Sequence, residues 1–307
     1  KLSNKPDLSV FTEVHHILES CDIGIANLEN PLTSRGQKVT GKCTLRGDPS
    51  WADVLKQTGI NLVSLANNHL MDYGPEGLFD TIRFLDNAGF MHVGAGKDKD
   101  SACRPLLASI KGKTIAFLAR SSVIVSSPSY AGPSMPGVAL LEKEELINNI
   151  KRCRDTADLV VVLLHWGLEE YSYPAPAQKK LAKLLVEAGA DAIIGHHPHV
   201  LQGLQRIGNA HVAYSLGNFL FDEFAWNTRV EDNEMMFTLS ESNRKGMILQ
   251  LSWDKARHVE CSEVFTRIDT DGSIAVDTAS VRREEFLALS AGIERSLYDC
   301  WWRLYAI

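Results

Sequence analysis

With 307 residues, 45% of them hydrophobic and 23% charged, the chain is long enough for one large domain or two smaller ones. A formal net charge of −6 with no basic run argues against nucleic acid as the main partner, and no apolar stretch reaches the length of a membrane-spanning helix. The six scattered cysteines form no CxxC pair, which argues against a zinc ribbon or a thioredoxin motif and favours buried thiols over disulfides.

The N-terminal region begins with Lys1 rather than Met, so we expect the chain to start inside a longer gene product, and a removed signal or anchor stays open. Residues 11–20 have the apolar spacing of a helix. The segment from Asp22 predicts a short strand that ends in Asn27 and Glu29 before a proline. These two side chains are either ligands at a strand end or parts of a solvated turn.

A second group of polar residues follows the next predicted strand. Residues 60–66 predict a strand that leads directly to Asn67, Asn68 and His69, and Asp72 follows in the same loop. Polar side chains at the carboxyl end of a strand are typical of α/β binding sites. The alternative is that they cap the helix that comes next.

Between residues 50 and 153 the sequence also predicts helices, a strand, a hairpin and a loop that carry none of the candidate ligands. These are a helix at 50–58, a helix at 76–88, a short strand at 90–93, a hairpin of 105–110 with 114–118, a loop at 121–137 and a helix at 142–153. The loop is rich in Ser, Pro and Gly, and we expect it to be flexible and close to the site.

Two further predicted strands end in histidine. After Asp158, residues 159–164 are a continuous apolar run, typical of a strand buried on both faces, and His165 follows them. After a predicted helix, residues 190–194 lead into a loop that contains three histidines: His196, His197 and His199. In an extended backbone His197 and His199 would point the same way, and His196 the other. The alternative is a surface loop that is merely rich in histidine.

The C-terminal third predicts a strand, an antiparallel pair and a helix. These elements are a strand at 211–221 that contains Asn218, a pair at 245–253 and 258–267, and a helix at 281–305 packed by Trp301 and Trp302. Residues 222–243 are polar and mixed in pattern. No segment of low complexity and no internal repeat is present.

Taken together, the polar strand ends have the ligand chemistry of a hydrolytic metal site. Its candidate ligands are Glu29, Asn68, His165, His197 and His199. Carboxylate, amide and imidazole ligands suit divalent Zn, Mn or Fe. A bridging carboxylate such as Glu29 can hold two ions roughly 3.5 to 4 Å apart. His69 can protonate a leaving oxygen, and Asp72 can orient His69.

These motifs, taken in order, resemble the bacterial capsule synthesis, CapA-like family. Members of that family are associated with poly-γ-glutamate synthesis and are similar to calcineurin-like metallophosphoesterases. The pieces that carry the resemblance run from Asp22 to Asp222: Asn27-Leu28-Glu29, Ala66-Asn67-Asn68-His69 with Asp72-Tyr73-Gly74, His165-Trp166-Gly167, Gly195-His196-His197-Pro198-His199-Val200 and Tyr214-Ser215-Leu216-Gly217-Asn218-Phe219.

The resemblance implies an α/β (α+β) fold, the four-layer αββα sandwich, with residues 1–307 as a single domain. The family motifs would occupy residues 22–222, and residues 223–307 would complete the domain. The resemblance also implies roles for the site residues: Asn68, His165 and His197 would hold one metal, His199 the other, Glu29 would bridge them, His69 and Asp72 would be catalytic, and Asn67, His196 and Asn218 would contact substrate.

One departure from the family pattern concerns the first metal. The family normally has a Gly-Asp upstream of the Asn27-Leu28-Glu29 piece, and nothing before Asp22 matches it, since Asp7 follows a proline and no strand. We therefore expect either that the start lies further upstream or that one of the two ions is held weakly.

Two functions remain open at this point. The first is a metal-dependent phosphoesterase-type hydrolase connected with capsule or poly-γ-glutamate synthesis, acting on an anionic polymer, a phosphoester or a substrate like a glutamate polymer. The second is a non-catalytic component of a membrane synthesis and export complex that uses the cleft for binding. The family resemblance implies an extracellular or membrane-anchored location, which nothing in the sequence itself decides.

Overall fold

Strands and helices alternate along most of this computed structural model, which describes residues 6–123, 129–227, 234–254 and 258–293. A 3₁₀ helix at Leu8–Phe11 comes first. The α-helices that follow are α1 (His15–Glu19), α2 (Trp51–Gln57), α3 (Gly74–Asn87), α4 (Lys99–Cys103), α5 (Lys143–Arg154), α6 (Pro176–Glu187) and α7 (Ser280–Ile293).

The strands are short at the start of the chain and longer towards its end. They are β1 (Gly24–Asn27), β2 (Ile60–Ser64), β3 (Met91–Val93), β4 (Ala95–Gly96), β5 (Leu106–Ile110), β6 (Lys113–Ser121), β7 (Gly137–Val138), β8 (Leu159–His165), β9 (Ala192–His196), β10 (Leu204–Ile207), β11 (Ala210–Ala213), β12 (Phe224–Asn227), β13 (Glu234–Phe237), β14 (Lys245–Trp253), β15 (Val259–Ile268) and β16 (Ile274–Val276).

Two sheets form the centre of the fold. The six-stranded sheet has the order β10-β11-β9-β8-β6-β5, with parallel pairing from β11 to β6 and an antiparallel strand at each edge. The second sheet is the parallel set β1-β2-β3, and the antiparallel sheet β14-β15-β16 continues the same layer on the other side of a cavity. The parallel neighbours β6 and β8 are joined through α5, and β8 and β9 through α6, since parallel pairing requires such crossover connections.

Apolar packing places these sheets between helices. The core between the sheets joins Leu62 and Val93 to Phe117, Val161 and Ile194 of the six-stranded sheet. The outer face of that sheet packs on α5 and α6, and the outer face of β1-β2-β3 packs on α2 and α3. The result is helix, sheet, sheet, helix, so the predicted four-layer sandwich is confirmed.

A cavity of about 1370 Å³ lies between the outer edges of β1 and β14. Ile25 of β1 is 37% exposed at this edge, and Leu249 and Leu251 of β14 line the opposite side. No strand of the described residues pairs with the outer edge of β1. The cavity also reaches Glu29 and His199, which connects it to the predicted site.

Several predicted elements differ in extent from the observed ones. The single helix expected at 11–20 is instead the 3₁₀ helix and α1, and Asp7 caps the former by accepting a hydrogen bond from Ser9 N at 2.9 Å. The strand expected at 211–221 ends at Ala213, and the backbone at Gly217 has a φ of 68°, which an extended strand does not have. The hairpin of β12 and β13 was not expected from its mixed sequence.

Other predictions lie partly outside the described residues. The antiparallel pair at 245–253 and 258–267 is observed as β14 and β15. Of the loop at 121–137, residues 124–128 lie outside the description, and so do Trp301 and Trp302 of the C-terminal helix. Among the described residues, five cysteines are free thiols: Cys21, Cys43, Cys103, Cys153 and Cys261. No helix in the described part of the chain is both long and apolar enough to cross a membrane.

Candidate metal centre

The carboxyl ends of four strands meet at one end of the sandwich. Within each sheet the strands that carry the site are parallel, so their carboxyl ends share an edge. Strands β1 and β2 lead to Glu29 and Asn68, whereas β8 and β9 end at His165 and His196. The two halves of the site therefore come from different sheet layers.

Glu29 lies at the centre of the group. Its Oε1 atom is 3.3 Å from His165 Nε2 and 3.7 Å from His199 Nε2. Its other oxygen, Oε2, accepts a hydrogen bond from Asn27 Nδ2 at 3.0 Å. Glu29 Oε1 is buried and has no hydrogen-bond partner within the described chain. Because this oxygen lies near two imidazoles, its position suits a carboxylate that bridges two metal ions.

Asn68 and His165 form the adjoining contact. His165 Nε2 lies 2.8 Å from Asn68 Oδ1, and His165 is only 1% exposed. The ligand atoms of Glu29, His165 and His197 all lie within 4.8 Å of one another. A single ion can therefore reach an oxygen and two nitrogens in this group without a large rearrangement of the chain.

The histidine loop has a different backbone from the extended one expected. His197 has a φ of 100° and His199 a φ of 57°, a region that non-glycine residues rarely adopt. The rings nevertheless come together, with centroids 5.9 Å apart for His197 and His199 and 4.8 Å apart for His165 and His197. The extended backbone expected for this segment was therefore wrong, although His197 and His199 do lie close together.

His69 lies beside this group and is oriented by Asp72. Its Nδ1 atom is 2.7 Å from Asp72 Oδ2, so the ring donates this hydrogen bond and leaves Nε2 for other partners. Leu45 N also donates to Asp72 Oδ2 at 2.6 Å, and Lys42 Nζ donates to the other carboxylate oxygen. Lys42 also donates to the backbone carbonyl of Asn68. Asp72 is thus held at both oxygens, and it fixes the imidazole ring.

Asn67, expected to contact substrate, is instead occupied with the backbone. It is fully buried; its Nδ2 donates to Leu28 O at 2.8 Å, and its Oδ1 accepts from His69 N and Leu70 N. Its amide therefore ties the end of β1 to the loop after β2. This geometry gives no support to a substrate contact.

Asn218 and His196 occupy different parts of the site. Asn218 Oδ1 lies 2.9 Å from His199 Nδ1, and Asn218 Nδ2 donates to Asn243 O at 2.9 Å. Asn218 therefore orients His199, as a partner of a metal-ligating histidine commonly does. His196 is half-buried at the end of β9 and lines the cavity, where contact with substrate stays a prediction.

Burial and neighbouring charges shift the acidities in this region. Burial by itself raises the pKa of Glu29, but the imidazoles of His165 and His199 hold it well below its usual range. Burial lowers the pKa of His197 to about 3, and burial together with His165 lowers the pKa of His196 to about 4. Glu29 therefore presents an ionised carboxylate and His197 a neutral imidazole, which are the forms that bind metal.

The residues present fit a divalent metal centre. Three buried atoms at this site lack a hydrogen-bond partner among the described residues, namely Glu29 Oε1, His165 Nδ1 and His197 Nδ1. Such atoms cost free energy unless something binds them. Imidazole and carboxylate ligands suit Zn, Mn or Fe. Structural zinc sites are instead built mainly from cysteine thiolates.

Sequence reasoning missed three residues of this region. Lys42, in a segment with no periodic pattern, donates to the carbonyl of Asn68. Glu169, which follows the His165-Trp166-Gly167 piece, lies near His197 and His199. Asn243 donates to His199 O at 3.2 Å. Only Glu169 offered a signal, since a carboxylate four residues after a ligand histidine follows the same strand end. The other two approach from distant segments.

Known proteins resemble this chain in sequence. The model of one protein family, described as bacterial capsule synthesis protein PGA_cap, matches residues 5–223. The capsule biosynthesis protein CapA of Bacillus anthracis is 35% identical over 235 residues, which are 74% of this chain and 56% of that protein. The PGA biosynthesis protein CapA of Bacillus subtilis is 36% identical over 232 residues, 74% of this chain and 60% of the relative. The chain thus spans less than two thirds of the length of these curated relatives.

Solved structures share the fold at low identity. A putative 5′-nucleotidase of Staphylococcus aureus superimposes with a TM-score of 0.51 at 15% identity, over 96% of this chain and 54% of that one. A hypothetical protein of Thermus thermophilus gives a TM-score of 0.50 at 15% identity, over 84% of this chain and 92% of the other. These matches show that the chain shares its overall fold with both proteins.

Proposed function

The chain belongs to the bacterial capsule synthesis protein PGA_cap family, and from this we propose that it is a metal-dependent hydrolase of the phosphoesterase type. Its role would lie in capsule or poly-γ-glutamate polymer synthesis, on an anionic polymer, a phosphoester or a substrate like a glutamate polymer. The observation that carries the proposal is the meeting of Glu29, His165 and His199 from two sheet layers around buried atoms that lack partners within the described chain.

Each candidate ligand has a definite place in the proposed site. Asn68, His165 and His197 would hold one divalent ion, His199 the other, and Glu29 would bridge the two. A bound ion would polarise a phosphoryl oxygen and stabilise the charge that develops on it. Asn218 holds His199 through its Nδ1 atom, which leaves Nε2 directed at Glu29.

His69 is the proposed general acid. Its Nδ1–H donates to Asp72, so Nε2 is the nitrogen that can deliver a proton to a leaving oxygen. Asp72 acts through His69, because its own oxygens are taken up by Lys42, Leu45 and the imidazole. The cavity beside Glu29, His197 and His199 gives a substrate access to these ligand atoms.

A non-catalytic role in polymer synthesis and export is the second candidate. It is favoured by Asp7, which accepts a hydrogen bond from Ser9 N at the start of the 3₁₀ helix and is not part of any described group that could hold a metal. A cleft with one well-held ion could bind an anionic polymer without cutting it. This candidate predicts metal binding without turnover.

The test combines metal analysis with hydrolysis. Elemental analysis of the purified chain is paired with turnover of a generic phosphodiester and a phosphomonoester in the presence of added Mn²⁺ or Zn²⁺. We expect bound metal and turnover in the wild type, loss of one of the two ions and of turnover in His199→Ala, and loss of turnover with retained metal in His69→Ala. His92→Ala, in β3 and outside the proposed ligand set, serves as the control.

Each result has a separate meaning. Metal without turnover would favour the binding role, and neither metal nor turnover would overturn the site assignment. Turnover that survives in both His199→Ala and His69→Ala would show that the hydrolysis comes from somewhere else.

A further inference from the structure

Glu169 lies in the turn after β8, four residues beyond His165. Its carboxylate and the ring nitrogens of His197 and His199 all lie within 4.8 Å of one another. This is a second group of ligand atoms beside the one formed by Glu29, His165 and His197. The Glu169 side chain is exposed, so its carboxylate can adjust to an ion without disturbing the core.

The turn that carries Glu169 is tied to the histidine loop. Glu170 N donates to Pro198 O at 2.8 Å, which joins the turn to the residue between the two histidines. The buried Gln202 donates through Nε2 to Tyr171 O at 2.7 Å on the far side of the turn. The backbone of the turn that carries Glu169 is therefore held beside the histidine loop.

His197 provides an independent sign of a ligand. It is only 6% exposed, and its Nδ1 atom has no hydrogen-bond partner among the described residues. Its φ of 100° is a strained backbone conformation for a residue with a side chain, and an unpaired buried nitrogen adds a further free-energy cost. Coordination of a metal by the imidazole would offset both costs.

The second ion of the proposed centre needs such a ligand. From the described residues, the proposed assignment gives that ion His199 and the shared carboxylate of Glu29. Catalytic metal sites commonly have three protein ligands and keep one position open. A carboxylate beside His199 would complete the set, and Glu169 is in place to provide it.

We propose that Glu169 is a carboxylate ligand of the ion held by His199, in addition to Glu29. This inference rests on the proposed metal centre and adds to it a residue from outside the predicted ligand set.

The test compares Glu169→Gln with Glu170→Gln. Both residues are exposed neighbours in one turn, and both changes remove one carboxylate while keeping the shape of the side chain. The metal-free wild type and the two variants are titrated with Mn²⁺ alone, and the bound ions per chain are counted by calorimetry and elemental analysis. Neither readout depends on turnover.

We expect Glu169→Gln to bind one ion per chain at least about tenfold more weakly, the loss typical even of residues that only orient a ligand. Glu170→Gln should match the wild type. Equal Mn²⁺ binding by Glu169→Gln and the wild type would overturn this inference and leave the metal centre intact. A wild type that binds no Mn²⁺ would overturn both. Glu169→Asp, which keeps a carboxylate, should recover part of the lost affinity.

Discussion

The buried charge of Lys42 contacts two residues of the proposed site. Its side chain is 2% exposed, and its ammonium donates to Asp72 and to the carbonyl of Asn68. A buried lysine is tolerated only when it is paired and hydrogen-bonded. Here the pair lies directly behind His69, so one ion pair fixes both the proposed acid and the loop that carries a proposed ligand.

We predict that Lys42→Ala destabilises the metal-free protein by about 3 kcal/mol, because it leaves the buried carboxylate of Asp72 without its charged partner. Urea denaturation measures this difference. Lys38→Ala, at an exposed position in the same segment, should change the stability by less than about 0.5 kcal/mol. Equal effects of the two substitutions would mean that the Lys42–Asp72 pair contributes little.

At the scale of elements, the segment between β1 and α2 is fastened to α3. Asp80 in α3 is 1% exposed and accepts hydrogen bonds from Thr33 Oγ1 at 2.7 Å, Arg35 Nε at 3.0 Å and Arg83 Nη2 at 2.8 Å. These contacts, above all the one from Arg35, hold the pKa of the Asp80 carboxyl well below its usual range. The segment that supplies Lys42 is thereby fixed on the helix beside the site.

We predict that Asp80→Asn lowers the stability at pH 7 by about 2 kcal/mol, through lost hydrogen bonds to a charged acceptor. Since the folded pKa lies below the unfolded one, the contribution of Asp80 is present above about pH 4 and fades as the pH falls further. The difference from wild type should therefore shrink as the pH is lowered below about 4, as measured by urea denaturation. Asp86→Asn, on the exposed side of α3, is the matched control.

The end of β9 depends on a close approach of backbones. A Cβ atom on Gly195 would lie 1.9 Å from Tyr214 O and 2.5 Å from Trp166 Nε1. Those two atoms form a hydrogen bond of 3.1 Å that joins the residues after β8 and β11. Only glycine leaves room for this bond immediately before the histidine loop.

Gly195→Ala is expected to destabilise the protein by about 3 kcal/mol, the upper end of overpacking costs, because rigid backbone rather than a movable side chain fills the space. Thermal and urea denaturation report the change. Gly132→Ala, whose Cβ would meet Met135 at an ordinary 3.4 Å, should be nearly neutral. A stable Gly195→Ala protein would mean that β9 and its neighbours can separate more easily than this packing indicates.

At the scale of the whole molecule, the site joins the two sheet layers. Glu29 and Asn68 follow strands of the β1-β2-β3 sheet, whereas His165, His197 and His199 end or follow strands of the six-stranded sheet. Between the strands themselves the two sheets meet through apolar side chains. A metal bound by both sets of ligands would therefore link the layers at their common end.

We predict that Mn²⁺ at about 100 times its Kd adds about 2.7 kcal/mol to the free energy of unfolding. Thermal denaturation with Mn²⁺ and with EDTA measures the difference, and removal of the metal should lower the Tm. His199→Ala, which removes a ligand of one of the two proposed ions, should lose part of this response. Identical Tm values for wild type with and without Mn²⁺ would contradict a metal that links the layers.

The sequence by itself determined the main elements and most of the candidate ligands. The apolar run of β8 predicted a strand buried on both faces, and every residue of β8 is buried. A central parallel strand packs apolar side chains on both of its faces. Glu29, Asn68 and His165 were predicted from their positions at strand ends, and the structure brings them together. Local pattern suffices for such residues, because parallel strands place their carboxyl ends at a shared edge.

The tertiary structure alone decided which side chains meet across long distances in the chain. Lys42 reaches Asp72 and Asn68 from a segment without periodicity, and Asn243 reaches the histidine loop from beyond β13. The positive φ angles of His197 and His199 overrode the extended backbone that their spacing predicted. Local pattern does not specify these contacts, because they depend on how two sheets and their loops pack together.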